Sequence, residues 1–244
     1  MRTLFFISLL TLSLFGADAV TIPTMNFQLS APDSPEQLVT SLNVLIILTL
    51  LFLAPSMILV MTTFTRFVIV FGFLRHAMGT QQTPPTQLLV MLAMILTFFV
   101  MEPVGQKAYD NGIKPYLQEK ISYEEAFVKS SEPFKNFMIR NTREKDLALF
   151  IRMRKMDNPK NINDVPLSVI IPAFVISEIK TAFEIGFLLF LPFLVIDMVV
   201  ASILMSMGMM MLPPVMISLP FKILIFVLVD GWNLLIGNLI QSIK

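Results

Sequence analysis

From Ile185 to Val229 the chain carries only two charges, Asp197 and Lys222, and yet it must reverse direction in the middle. The reversal is written as SMGMMMLPPVMISLP, Ser206 to Pro220, with three consecutive methionines between a glycine and a proline pair. Gly208 and Pro213–Pro214 break any helix there. A turn normally faces water and is polar. Irregular backbone clothed in apolar side chains is tolerated at membrane depth only where protein buries it or it lines a cavity. The flanking runs therefore read as the two arms of a helical hairpin, and Met209, Met210 and Met211 as residues meant for the inside of something.

Composition supports a membrane setting. The chain has 244 residues, 55% of them hydrophobic and 14% charged. Soluble domains carry about a quarter charged residues. The net charge of +1 gives no sign of a nucleic-acid or acidic partner. With no cysteine and a single histidine, His76, disulfides, thiolate sites, cysteine catalysis and multi-histidine metal sites are excluded. No Gly-x-Ser-x-Gly, P-loop or His-Glu-x-x-His motif is present. The reading is not an enzyme, with no cofactor and no metal.

The organisation follows from where charge falls. Arg2, the apolar Leu4–Phe15 and the small-x-small triplet Ala17-Asp18-Ala19 read as a signal peptide, 1–19, cleaved after Ala19. Residues 20–41 form an external linker. Residues 42–101 read as an N-terminal helical hairpin: an apolar run from Leu42 to Met61 with a kink expected at Pro55, then a second from Thr86 to Met101. Between them, Arg66 and Arg75 without acids mark a cytoplasmic connection. Residues 102–164 hold most of the charges, in near balance, and read as a small helical domain outside the cytoplasm. Ser122 followed by Glu125 is a capping box that opens a helix there. Residues 165–244 form the C-terminal hairpin carrying the Met-rich loop, with bends expected at Pro192 and Pro220. The fold class is all-α and membrane-associated, built of bent hairpins with a helical external insertion.

Ionisable groups in apolar helices need partners. Lys180 and Glu184 stand i,i+4 and can pair with each other, in the weaker orientation. Glu178 has no local partner. Lys222 has none either, since Asp230 lies two turns on and about 80° round the helix. A Glu178–Lys222 pair, across the hairpin or between subunits, is the expectation, with Asp197 and Asp230 as further buried charges. The methionines admit three readings: thioether ligands for Cu(I), adaptable core filler, or a deformable seal. Copper sites usually add His or Cys, and none is near. Filler does not explain the Gly/Pro framing. A seal becomes natural if several copies surround an axis.

Three stretches carry a family resemblance: PAFVISEIKTAFEIGF from Pro172, PVMISLPFKILIFVLVDGW from Pro214 and TRFVIVFGFLRHAMGTQQTPPTQ from Thr65. Together they resemble the type III secretion export-gate family (FliP/SctR), in its flagellar branch. The resemblance implies a core subunit of a protein-conducting gate, in a helical ring-like complex of five copies with FliQ-like and FliR-like membrane subunits. It implies FlhA/FlhB-like export components as further partners and unfolded flagellar subunits as the cargo. It places the protein in the bacterial inner membrane at the flagellar basal body, partly exposed to the periplasm. It also makes Met209, Met210 and Met211 a gasket around the closed channel.

Overall fold

The computed structural model describes residues 35–80, 82–155, 161–209 and 211–243. The signal peptide, and the linker up to residue 34, lie outside these. The chain divides after Thr49 into two units. Helix α1 is Pro35–Val60. Its stretch Ser41–Leu53 is apolar and exposed, with Leu45 and Ile47 uncovered.

The unit from Leu50 onward is built around a helix that the charge pattern disguises. Helix α2, Phe64–Ala77, buries Phe67, Val70, Phe71, Leu74 and Ala77, a stripe at helical spacing. The reading of Arg66 as a loop charge is corrected here. Arg66 is only 2% exposed, so it is a core residue and no loop charge. Residues 42–101 thus hold α1, α2 and most of a third helix, rather than a two-helix hairpin.

Helix α3, Thr86–Ala108, passes through Pro103 and continues by a π turn, Tyr109–Ile113, into α4, Lys114–Leu117. The rod is 32 residues long, Thr86–Leu117. At 1.5 Å per residue it is about 48 Å, longer than a bilayer core of about 30 Å. Helix α5, Tyr123–Asn141, opens on the expected cap, with Glu125 N–H donating to Ser122 Oγ at 3.2 Å. Helix α6 is Glu144–Met153. The charged stretch does not stand apart. Phe137, Met138 and Leu147 share one core with Met101 and Val104 of α3 and with Val169, Ile170 and Phe174 of the next helix.

That next helix, α7, runs 40 residues from Leu167 to Ser206 and is continuous through Pro172 and Pro192. Its main partner is α2. Helices α8, Pro214–Leu228, and α9, Gly231–Gln241, meet at 66°. The break is at Asp230, whose left-handed φ of 53° ends one helix and starts the other. It is not at Pro220, through which α8 continues. Two helices are long and apolar enough to cross a membrane, and a third if α8 and α9 form one span. All regular structure among the described residues is helical.

Candidate functional site

The tip of the α7–α8 hairpin is made by local chemistry. Helix α7 ends in a Schellman turn: Gly208 takes φ +74°, its N–H reaches Met205 O at 3.1 Å, and Met209 N–H reaches Leu204 O at 3.0 Å. Glycine is needed because a Cβ resists that φ. Helix α8 starts with proline at its first position, where no N–H is missed. Between them the cover within the chain is uneven, with Met209 41% and Leu212 39% exposed. Met211 is 98% exposed and Met207 65%. Met210 lies outside the described residues. Below the tip an apolar groove of about 540 Å³ separates the arms, lined by Val199, Val200, Ile203, Leu204, Ile217 and Phe221.

Three polar stations hold the hairpin to the rest of the chain. Nearest the tip, Lys222 Nζ donates to Asp197 Oδ2 at 2.6 Å and to the Ala77 carbonyl at 3.1 Å. Ser218 Oγ donates to the other Asp197 oxygen at 2.5 Å. Lys222 is buried and Asp197 partly exposed, its side chain at 22%. The ammonium sits on the C-terminal end of α2, where the helix dipole favours a cation.

Farthest from the tip along α7, Arg66 grips Glu178 with two nitrogens, Nε to Oε2 at 2.8 Å and Nη2 to Oε1. Its third nitrogen, Nη1, donates to Ser242 O at 2.9 Å and to Ser242 Oγ at 2.8 Å. Both charged side chains are essentially inaccessible. Arginine suits this place because its planar fork matches a carboxylate and still has donors left for a backbone carbonyl.

Between these two stations along α7, Lys180 pairs with Asp146. Arg143 grips Glu184 at 2.8 and 2.5 Å. The Arg143 N–H also donates to Ser177 Oγ at 2.9 Å. The Glu184 carboxylate, by its hydrogen bonds and charge, raises the Arg143 guanidinium above its ordinary pKa, against a smaller effect of burial.

These contacts correct the sequence expectations. Glu178 and Lys222 do not pair within the chain, because Arg66 and Asp197 take them. Lys180 and Glu184 do not pair along their helix, because Asp146 of α6 and its N-cap residue Arg143 take them. Asp197, expected to be buried, is only partly so, and Asp230 is exposed at the α8–α9 corner. His76 is exposed, its Nδ1 2.7 Å from its own-turn Gly72 carbonyl. Sequence reasoning missed Arg66, Arg143 and Asp146. Arg66 carried a usable signal, as the one charge inside an apolar helical stripe. Among the described residues no group of three or more His, Asp or Glu could hold a metal.

The long apolar helices and the buried pairs between them define an α-helical membrane protein. The FliP family model matches residues 47–239. The flagellar biosynthetic protein FliP of Bacillus subtilis (strain 168) is 55% identical over 208 residues, 85% of this chain and 94% of that protein. The FliP of Caulobacter vibrioides is 54% identical over 198 residues, 81% of this chain and 74% of its own. That of Pectobacterium carotovorum is 51% identical over 211 residues, 86% of this chain and 82% of its own. The chain belongs to the FliP family.

Proposed function

We propose that this protein is a core subunit of the flagellar type III protein export gate. In this reading it lies in the bacterial inner membrane at the basal body, exposed in part to the periplasm after loss of its signal peptide. Several copies, five by family resemblance, assemble with FliQ-like and FliR-like subunits around a path for unfolded flagellar proteins. FlhA/FlhB-like components deliver and drive the cargo. The chain's own part is mechanical, without catalysis.

One observation carries the proposal: the apolar, methionine-rich tip, with Met211 98% exposed at the end of a long apolar hairpin. A single chain leaves Met211 uncovered. Repeated around an axis, such tips would cover one another. Methionine has three rotatable bonds and a polarisable sulfur, so such a collar fills an irregular gap and yields to a passing chain.

Two experiments test this. Deleting Met209–Met211 leaves the complex assembled but makes cells permeable to small ions, read by conductance or ion influx; unchanged permeability would defeat the gasket role. An export substrate stalled by a folded domain crosslinks to a photoreactive residue at Met211 and not to one at the buried Met138. Equal crosslinking at both, or at neither, would count against a channel lined by the tip.

A further inference from the structure

The Lys222 station divides the α7–α8 hairpin into a fixed base and a free tip. On the base side, α7 is tied by all three polar stations, through Glu178, Lys180, Glu184 and Asp197. On the tip side, among the described residues, no hydrogen bond crosses between 198–206 and 211–217. Ser202 and Ser206 satisfy themselves on their own helix, at Met198 O and Ile203 O. What joins the arms there is an apolar groove. Nothing lies within 4 Å of where a Cβ on Gly208 would stand, so beyond its own two hydrogen bonds no side chain packs on the turn there.

Apolar contacts are non-directional and re-form after a slide. A buried, hydrogen-bonded charge pair does neither without large cost. Displacement of the hairpin therefore stops where the first such pair stands. Lys222 is well placed for that stop because it joins three elements at one atom: α7 through Asp197, the end of α2 through Ala77 O, and α8 through its own backbone. The adjoining loop closes on the same point. A Cβ on Gly79, which takes φ +76°, would stand 3.4 Å from Val215 and 3.9 Å from Lys222 Nζ.

We propose that Lys222 is the positioning residue of the Met-rich tip. With Asp197 and Ser218 it fixes the rim, so that only the segment from Met198 to Pro214 moves. This rests on the reading of the tip as the moving seal, but it makes a claim about backbone motion that stands or falls separately.

Hydrogen exchange followed by mass spectrometry, on the full-length chain purified with its co-purifying subunits, tests it. Amides of Val199–Met211 should exchange about tenfold faster than those of Phe193–Asp197, with the step at the station. Lys222→Met should carry the step along α7 away from Asp197 to the next charge pair, at Glu184. Lys222→Arg, which keeps a donor for Asp197, should restore the wild-type border. Where Lys222→Met does not accumulate, Ser218→Ala serves, and should speed exchange at Asp197 and Met198 alone. Uniform protection from Phe193 to Leu204, or a border unmoved by the loss of Lys222, would overturn the proposal. A border present in a complex whose ion permeability ignores Met209–Met211 deletion would keep the hinge and remove the gasket.

Discussion

Arg66 and Glu178 are the residues on which the packing of α2, α7 and the C-terminal segment depends. Both are buried, and Arg66 has no remaining capacity to lose a partner without leaving charge uncovered. Removing one member of a buried pair costs about 3–5 kcal/mol, whereas replacing both by apolar residues of similar size is often neutral. Glu178→Leu should therefore lower the thermal midpoint of the detergent-solubilised chain sharply. Arg66→Met with Glu178→Leu should recover most of the loss. A double variant no better than the single would mean that the Arg66 contacts to Ser242 matter more than the pair. The same residues explain a limit on sequence reading. Glu178 and Lys222 were legible as charges in need of partners, but opposite sign alone could not match them. Their true partners sit 112 and 25 residues away. One of these, Arg66, resembles a topological marker until α2 is seen to be inside.

Elements were most legible at their ends, where local chemistry acts alone. Ser122 caps α5, Gly208 ends α7, and Pro214 starts α8, each as its residue type dictates. Breaks between helices were less legible. Pro192 and Pro220 sit in continuous helices, while the 66° break falls at Asp230, where no proline marks it. Gly231 then lies so close under the Phe226 ring that a Cβ would stand 2.3 Å from it. That contact is tertiary, and a linear pattern does not contain it. The π turn after α3 is a similar case. Gly112 there faces α5 at a distance that leaves a Cβ 2.0 Å from Ser130 Oγ and 2.7 Å from both Ala126 O and Ser130 N. Gly112→Ala should overpack this crossing and cost about 1–3 kcal/mol, read as a lower thermal midpoint. Adding Ser130→Ala should give only partial recovery, because two of the three contacts are backbone. Full recovery would show that the Ser130 hydroxyl alone sets the approach.

At the scale of the molecule, two kinds of exposed apolar surface must be told apart. Leu188 of α7 is 64% exposed in a helix with one charge, Asp197, beyond Glu184. Phe127 of α5 is 62% exposed beside Glu124, Glu125 and Lys129. Fractional exposure does not distinguish them, but their surroundings do. A helix apolar on all faces is built for lipid or for other subunits. An amphipathic one with solvated charges on it is built for water on that side. Leu188→Lys should place a charge where it costs about 2.5–3.5 kcal/mol by insertion scales, and the chain should vanish from the membrane fraction. Phe127→Lys should leave its amount there near wild type. Immunoblots of fractionated cells compare the two directly. Equal tolerance would mean that the exposed face of α7 meets water, and then neither the bilayer nor a ring of copies could be its surroundings. Equal loss would mean instead that the charged segment around α5 is covered in the assembly, which would make its balanced charge a feature of an interface rather than of a solvated surface.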